Sequence, residues 1–401
     1  YDGSELATPG ELLQTFGPES ADIERVAMAI SQSKHVVPVA SSTACPVSYD
    51  MERVIPYLSK DFAFTAKKNG KIEVIENDVM IIKYDDGTYD DVDIAERPAK
   101  NTDGGFYIMN QLSTDLKVGA RVKEGQLVAY DKKYINSNDL FGDPLANVGT
   151  LARIAVETNG GVYEDACYLT DDLAHRMETK ITKQKRVILS KFANIKYMVK
   201  VGQVVKANDP ILTFDDTEDE FSSQLLASMA EEAGDEDEVI ATTAPIITKV
   251  SGVIRDIRIY YTIPLEEMSP SMRKIVSAYV KDAQKREKTI SKYKNIYDAN
   301  TIVKTSEQLI PDSTGKVKGV KISDGIFIDF YIEYQDIMAP GDKLSFFAAL
   351  KGIVSDVIPS DLAAYTERNP ERKIDACLSC IGVYKRMCCL LYTSPSPRDT
   401  R

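Results

Sequence analysis

The stretch "APGDKLSFFAALKGIVSDVIP", from Ala339 to Pro359, sets two lysines, Lys343 and Lys351, around an apolar patch. Proline and glycine open it, a second glycine follows Lys351, and a β-branched run closes it. This pattern predicts a turn that leads into a strand. A lysine after Gly-Asp is on its own a turn residue, so a function for the two lysines requires other segments that indicate the same ligand.

The composition is that of an ordinary globular protein, with 401 residues, 43% hydrophobic and 27% charged. A chain of this length forms two or three domains. We expect no membrane span and no signal peptide, because no run is long and apolar enough. Six scattered cysteines favour a reducing compartment over a disulfide framework. The two histidines, His35 and His175, disfavour a histidine metal centre or a Ser-His-Asp triad.

The net charge of −12 is concentrated in one place. Twelve acidic residues and no basic one lie between Ala207 and Thr248, so the other residues carry 49 acidic and 49 basic side chains. The block "DDTEDEFSSQLLASMAEEAGDEDE" is typical of a solvated loop or tip. A basic surface elsewhere on the chain is therefore compatible with the total charge.

Both ends resemble cut ends. The chain starts with Tyr1, and "CLLYTSPSPRD" from Cys389 matches the in-frame translation of a common sequencing adapter. We therefore expect residues 389–401 to be an artefact of an assembled reading frame and exclude them from the fold.

Local patterns predict a β-rich chain with a few helices. Residues 11–34 have helical apolar spacing, and residues 265–294 form a long helical pattern that is basic in its second half. Such a basic helix is most often a solvated face. "GKIEVIENDVMIIKYDDGTYDDVDI" predicts short strands with a hairpin at Asp86-Gly87. Its aspartates lack the spacing of a calcium loop, which favours the hairpin.

Two segments resemble each other, residues 116–131 and residues 198–216. Each has a Val-Gly turn, a valine three residues later, a Gly or Asn turn and an apolar strand. This pattern is typical of small barrels and sandwiches, including biotinyl-like hybrid motifs. A lipoyl-type carrier needs a modifiable lysine at a hairpin tip, which neither copy offers, so a structural role is favoured.

A second informative stretch is "NGGVYEDACYLTDDLAHRM", from Asn159 to Met177. A glycine pair precedes the adjacent carboxylates Glu164 and Asp165, and a helix is predicted to follow. At a strand end the two carboxylates would point to opposite sides, so one at most would face a given site. On their own, adjacent acids usually lie at the solvent.

Taken together, these stretches resemble the C-terminal half of the second-largest (β) subunit of multisubunit DNA-dependent RNA polymerases. The family's "GYNFEDA" is similar to "GGVYEDA" here, and its "PGDKMAGRHGNKGVVSKI-P" to "PGDKLSFFAALKGIVSDVIP", with both lysines at the same spacing. Its "DDANRALMGANMQRQAVP" and "VDIVLNPLGVPSRMN" are similar to "SADIERVAMAISQSKHVVP" and "IDACLSCIGVYKRMC", which carry Arg25 and Arg386. The order is collinear over nearly all of residues 10–388. The divergence from cellular sequences suggests a viral form, such as that of giant (jumbo) bacteriophages.

The resemblance implies a role for each of these residues. Lys343 and Lys351 would lie near the RNA 3′ end and the α-phosphate of the incoming nucleotide. Arg25 and Arg386 would hold the outer phosphates of the nucleoside triphosphate, which suits guanidinium forks. Asp165, with Glu164 beside it, would help to position a second Mg²⁺.

The resemblance also implies partners. The three aspartates that hold the main Mg²⁺ belong to a partner (β′) subunit, so this chain would be an RNA polymerase subunit that is inactive alone. It would also contact the DNA template and the RNA–DNA hybrid, in a hetero-oligomer without a membrane. The implied location is the cytoplasm, that of the host if the source is viral, or a virion that packages the enzyme.

The resemblance implies a mainly β, multidomain fold with a double-psi β-barrel at its centre. The expected parts are a β-rich region at 1–145, whose N-terminal helix packs on the barrel, and the barrel itself at 146–180 and 322–360. An inserted flap or wall domain at 181–321 and a truncated end of the core at 361–388 are also expected. Sandwich and barrel-hybrid elements, such as the two similar segments, complete this fold.

Two departures from the family stand out. The polar "MAGRHGN" between the family's lysines is the apolar "LSFFAAL" here, from Leu344 to Leu350, so this is where the chain should differ most from the family. Cys377 and Cys380 have CxxC spacing without a second pair, which favours packing over a zinc knuckle.

The alternative is a non-catalytic β-barrel module that binds nucleic acid or protein. The polymerase interpretation requires Lys343 and Lys351 to lie within about 15 Å of Asp165, a limit set by side-chain reach.

Overall fold

The computed structural model describes most of the chain. The described residues are 27–28, 30–32, 35–43, 51–58, 61–100, 105–136, 144–147, 149–157, 162–215, 238–240, 245–261, 263–293, 316–317, 320–321, 325–346 and 350–381. Arg25, Arg386, most of the acidic block and residues 389–401 lie outside these ranges.

The described elements are mostly strands. The helices are α1 (Met51–Leu58), α2 (Asp171–Arg176) and α3 (Pro270–Ser291), with 3-10 turns at Leu265–Glu267 and Ser360–Leu362. The described residues 27–28 and 30–32 are also helical. The first strands are β1 (Ala63–Thr65), β2 (Gly70–Glu76), β3 (Val79–Tyr84), β4 (Tyr89–Asp93), β5 (Arg97–Lys100), β6 (Tyr107–Asn110), β7 (Arg121–Val122), β8 (Leu127–Tyr130), β9 (Ile135–Asn136) and β10 (Leu145–Ala146). The next are β11 (Ile154–Glu157), β12 (Ala166–Thr170), β13 (Thr179–Ser190), β14 (Asn194–Met198), β15 (Val204–Val205), β16 (Pro210–Asp215), β17 (Glu238–Ile240), β18 (Ile246–Ile247) and β19 (Gly252–Tyr261). The last are β20 (Lys316–Val317), β21 (Val320–Lys321), β22 (Gly325–Asp336), β23 (Lys343–Phe346), β24 (Leu350–Ile358), β25 (Tyr365–Thr366), β26 (Asn369–Lys373) and β27 (Ala376–Ser379).

The predicted mainly β class is confirmed, and the sheets curl into half-barrels. The chain divides into two compact units. Unit 1 comprises Tyr1–Phe64, Ala129–Lys180 and Gln335–Arg401, and unit 2 comprises Thr65–Val128 and Ile181–Tyr334. Both predicted site motifs therefore belong to unit 1. No helix among the described residues is long and apolar enough to cross a membrane.

A five-stranded sheet, in the order β11-β27-β12-β24-β23, organises unit 1. β12 lies between a parallel neighbour, β24, and an antiparallel neighbour, β27. β23 and β24 form an antiparallel hairpin at one edge, and β11 pairs in parallel with β27 at the other. The sheet is thus assembled from two parts that are far apart in the sequence, residues 154–170 and residues 343–379.

The core of unit 1 packs on one face of this sheet. It contains Cys167, Leu169, Leu173, Ala174, Leu344, Phe346, Val354, Ala376 and Leu378. Leu173 and Ala174 come from α2, which begins where the Thr170 hydroxyl accepts a hydrogen bond from the Leu173 N–H. The helix predicted to follow the carboxylate pair is confirmed.

Unit 2 contains most of a seven-stranded sheet, β15-β19-β22-β13-β6-β5 with β17 on β13, and the smaller sheets β4-β3-β2-β7 and β14-β16-β18. The hairpin predicted at Asp86-Gly87 is confirmed. It joins β3 to β4, with Lys83 opposite Tyr89 and Gly87 at a φ of 84°. Its Asp86 carboxylate accepts hydrogen bonds from Thr88, as expected of a turn.

The two similar segments have the same backbone conformation. Gly119 and Gly202 occupy equivalent turns with φ values of 87° and 86°, and Gly125 and Asn208 occupy a second pair of turns with φ values of 74° and 70°. The N–H groups of Gly119 and Gly202 donate to Ile72 and Ile254, which lie on β2 and β19. The segments are therefore a structural repeat, in which the partner strand precedes the turns in one copy and follows them in the other.

The long helix predicted over residues 265–294 is confirmed as a 3-10 turn followed by α3. The Ser269 hydroxyl caps α3 by accepting a hydrogen bond from the Met272 N–H, and Pro270 stands at the first helical position. Met272 and Val276 bury one face of α3 in the core of unit 2. Near its C-terminal end, Arg286 forms an ion pair with Asp78.

Candidate functional site

The structure brings the two predicted motifs side by side. β12, which follows Glu164 and Asp165, pairs in parallel with β24, which contains Lys351. Ala166 lies opposite Ile353, and the Ile353 N–H donates a hydrogen bond of 2.8 Å to the Asp165 carbonyl oxygen. Segments almost 190 residues apart in the sequence thus meet in one ladder.

Gly352 permits this close approach. A Cβ atom at this position would lie 2.9 Å from the Cys167 Sγ and 3.2 Å from the Asp165 carbonyl oxygen. Cys167 is fully buried, and burial raises the pKa of its thiol to about 11, so the thiol is protonated at neutral pH. Packing therefore explains the glycine after Lys351, because only a residue without a side chain fits against β12 here.

The β23–β24 hairpin presents both lysines on its exposed face. Lys343 lies opposite Ile353, and Ser345 lies opposite Lys351. All four of these side chains are exposed, or nearly half exposed in the case of Ile353. Residues opposite each other share a face, so Lys343 and Lys351 are diagonal neighbours on that face. Their Cα atoms are about 7–8 Å apart. Within the described ranges, neither ammonium group has an acidic partner.

The apolar residues between the lysines have a structural role in the part that the structure describes. Leu344 and Phe346 point to the opposite face of β23 and are buried in the core of unit 1. Within the segment predicted to differ from the family, residues 344–346 belong to β23, and the side chains of Leu344 and Phe346 anchor that strand. The alternation Lys-Leu-Ser-Phe was the sequence signal for it.

A tight turn sets the start of β23. Gly341 has a φ of 99°, and its N–H donates 2.8 Å to the Val354 carbonyl oxygen. The Asp342 carboxylate accepts a hydrogen bond of 2.8 Å from the Ala339 N–H, and the Asp342 carbonyl oxygen accepts one of 2.8 Å from the Val354 N–H. The backbone just before Lys343 is therefore fixed on both sides.

The lysines lie near the carboxylate pair. Ala166, Ile353 and Lys343 are consecutive partners across three neighbouring strands. Strands are about 4.8 Å apart, so the Cα atoms of Ala166 and Lys343 are about 10 Å apart. Asp165 directly precedes Ala166. Lys351 lies two residues before Ile353 on β24, the strand next to β12. These spacings are inside the reach of about 15 Å that the polymerase interpretation requires.

Glu164 and Asp165 lie in a turn rather than on a strand end. The turn is closed by a hydrogen bond of 3.0 Å from the Ala166 N–H to the Tyr163 carbonyl oxygen, and β12 begins at Ala166. The expectation that the two carboxylates point to opposite sides of a strand is therefore wrong, because strand alternation does not apply in a turn. Both side chains are exposed.

Glu164 has an unusual backbone conformation, with a φ of 53°. The other non-glycine residues with positive φ among those described are Asn77, Asp78 and Asn208. Asparagine and aspartate tolerate this region, whereas a glutamate there costs about 1–2 kcal/mol. Strain of this kind is typical of functional sites. No sequence signal predicted it.

The predicted arginines cannot be placed, because Arg25 and Arg386 lie outside the described residues. Near Arg25 in sequence, the helical residue Gln32 accepts a hydrogen bond of 2.8 Å from the Ser345 hydroxyl. Ser345 lies on the lysine face of the hairpin, so this N-terminal segment contacts the same face. The resemblance implied that the N-terminal helix packs on the barrel, but it did not name this contact. Cys377, ahead of Arg386, is fully buried in β27, which agrees with the predicted packing role.

Glu164 and Asp165 together offer two exposed carboxylates that could bind a divalent cation. Among the described residues, no group of three or more His, Cys, Asp or Glu side chains could hold a metal. Mg²⁺ is commonly bound through one or two carboxylates together with substrate phosphates. The exposed oxygens of Asp165 and Glu164 are donors of that kind.

No protein-family model matches the chain, and no curated protein matches its sequence.

Proposed function

We propose that this chain is a β-type subunit of a DNA-dependent RNA polymerase, which contributes cationic and acidic side chains to template-directed nucleotidyl transfer. The observation that carries the proposal is the direct pairing of β12 with β24. Two motifs that match the family at widely separated positions also lie side by side in unit 1. A chance resemblance of two short motifs gives no reason for this pairing.

Under this proposal, the five-stranded sheet is part of a double-psi β-barrel. The mixture of parallel and antiparallel neighbours around β12 supports this assignment. The repeat in unit 2 would be the barrel-hybrid element, and the rest of residues 181–321 would form a reduced flap or wall domain.

The lysines would act through charge. Phosphoryl transfer is mostly positioning and neutralisation of developing negative charge. Lys343 and Lys351 are exposed and lack acidic partners within the described ranges. Because their Cα atoms are about 7–8 Å apart, each lysine can contact one of two neighbouring phosphate groups. The fixed turn at Gly341 and the core contacts of Leu344 and Phe346 hold the hairpin in place, which lowers the entropy lost on binding. Arg25 and Arg386 would hold the outer phosphates.

Asp165 would orient one Mg²⁺ shared with the partner β′ subunit, directly or through water, and Glu164 would stand beside it. When bound, the ion neutralises phosphate charge. The hydrogen bond from the Ile353 N–H to the Asp165 carbonyl oxygen holds the Asp165 backbone against β24, which carries Lys351 and pairs with the Lys343 strand, β23. The carboxylate and the two lysines are therefore held by neighbouring strands of one sheet.

The test is nucleotide addition by the complex reconstituted with its partner subunit. Lys343→Ala and Lys351→Ala should each slow addition about 100-fold, the scale for removing one electrostatic contact in a transition state. Assembly of the complex should be unchanged, because both side chains are exposed. Lys180→Ala removes an exposed lysine of unit 1 outside the hairpin and serves as the matched control. Normal elongation by the Lys343→Ala/Lys351→Ala double variant would refute the assigned role and favour the non-catalytic binding module.

A further inference from the structure

α3 belongs to unit 2 and is not part of the candidate site. It carries a row of lysines along one side. Lys274, Lys281, Lys285 and Lys288 follow one another at spacings of seven, four and three residues, which places them on one face of a helix. We call these four residues the lysine stripe. At about 1.5 Å of rise per residue, the stripe is about 21 Å long. All four side chains are exposed.

The charges of the stripe are largely uncompensated. α3 has six basic and two acidic residues, a net charge of +4. Lys285 is 3.2 Å from Asp282, but both side chains are more than 60% exposed, so the pair contributes little. Within the described ranges, Lys274, Lys281 and Lys288 have no acidic partner.

The opposite side of α3 is held in place. Met272 and Val276 are buried in the core, Arg286 pairs with Asp78 at 2.7 Å, and the Thr289 hydroxyl accepts a hydrogen bond of 3.0 Å from Asn77. These contacts act at both ends of the helix. The stripe is therefore a rigid row of charges.

We propose that the lysine stripe binds the phosphate backbone of double-stranded DNA without reading its sequence. A row of point charges suits a polyanion with regularly spaced phosphates. Single strands are bound through bases stacked on aromatic side chains. The stripe has none, since Tyr279 packs against the core of unit 2. Lysine contacts with phosphate position a duplex and carry no sequence information.

This inference goes beyond the proposed function and does not depend on it. Binding at α3 involves neither Asp165 nor the lysines of the β23–β24 hairpin. Failure of the Lys343 and Lys351 variants to slow nucleotide addition would leave the stripe untouched, and loss of duplex binding would leave the catalytic assignment untouched.

The experiment measures the affinity of the full chain for a fluorescent duplex of about 30 base pairs, over about 50–200 mM salt. A Lys281→Gln/Lys285→Gln/Lys288→Gln variant removes three contacts and keeps good helix formers. Each phosphate contact contributes about 0.9 to the slope of log affinity against log salt, so the slope should become shallower by about 2.7. Circular dichroism should show an unchanged helix content.

The matched control is Lys117→Gln/Lys123→Gln/Lys200→Gln, which removes the same charge from exposed positions of unit 2 outside α3. Its salt slope should stay within about 1 of the unmodified chain. Equal slopes for the two triple variants, or no salt-dependent binding by the unmodified chain, would overturn the proposal. So would tighter binding of a single strand.

Discussion

The repeat of unit 2 and the Tyr163–Ala166 turn of unit 1 both contain residues with positive φ, but the types of residue at these positions differ. In the repeat, every positive φ described falls on glycine or asparagine, at Gly119, Gly125, Gly202 and Asn208. In the turn, it falls on Glu164. Folding alone accounts for the residue types of the repeat. It gives no reason for a glutamate in the turn, so the side chain itself is the better explanation for its presence.

The strongest test of the repeat uses the glycines of its two partner strands, Gly70 opposite Val122 and Gly252 opposite Val205. A Cβ atom at Gly70 would lie 2.3 Å from the Lys83 carbonyl oxygen, and one at Gly252 would lie 2.3 Å from the Glu333 carbonyl oxygen. Because backbone must move in each case, Gly70→Ala and Gly252→Ala should each lower the free energy of unfolding by about 3 kcal/mol or more. Denaturant unfolding of the purified chain measures this. Gly87→Ala, at a position with open space, is the control and should cost about 1 kcal/mol. Similar losses for all three variants would contradict the repeat as described.

Gly352→Ala tests the contact between the two site motifs. The added methyl group meets the Cys167 Sγ at 2.9 Å, so we expect a loss of about 1–3 kcal/mol in unfolding free energy. Cys167→Ala removes that sulfur and should restore part of the loss, which a double-mutant cycle measures. Additive effects of the two substitutions would mean that β12 and β24 do not approach as closely as described.

An exchange between the two regions compares them directly. Glu164→Asn should raise the free energy of unfolding by about 1 kcal/mol, since asparagine tolerates positive φ. Asn208→Glu places glutamate in the equivalent strain and should lower it by about the same amount. If the Glu164 carboxylate serves the proposed site, Glu164→Asn should also slow nucleotide addition by the reconstituted complex. A chain that becomes less stable with Glu164→Asn would show that the glutamate has a folding role.

The smallest expected effect concerns the equivalence of the two copies. Gly125 and Asn208 have φ values of 74° and 70°, and a Cβ atom at Gly125 would meet nothing within 4 Å. Gly125→Asn and Asn208→Gly should therefore each change the free energy of unfolding by less than about 1 kcal/mol. A large loss for either one would show that the copies differ in their surroundings.

Much of the local structure could be predicted from the sequence. The hairpin at Asp86-Gly87, the helix after the carboxylate pair and the helix over residues 265–294 follow from neighbouring residues, because turns and helices are stabilised by groups within a few positions of each other. The similar turns of the repeat also followed from the spacing of valine and glycine.

Long-range features could not be predicted from local patterns. The register that places Ala166 opposite Ile353 depends on packing between distant segments, and only the family resemblance suggested that they meet. The contact of Gln32 with Ser345 is of the same kind. The φ of Glu164 follows from how its turn closes onto β12, and glutamate itself gives no sign of it. Arg25 and Arg386 remain predictions from the resemblance.

The position of β12 between β24 and β27 also affects how unit 1 is made. β12 is complete at Thr170, but its partner β27 ends at Ser379, about 200 residues later. At about 5–20 residues per second, a ribosome needs roughly 10–40 s to synthesise that stretch. We therefore expect the segment 181–334 to leave the ribosome while β12 still has two unpaired edges. During that interval β12 is open to pairing with other chains. A ribosome that stalls within the segment would leave β12 without its partner strands.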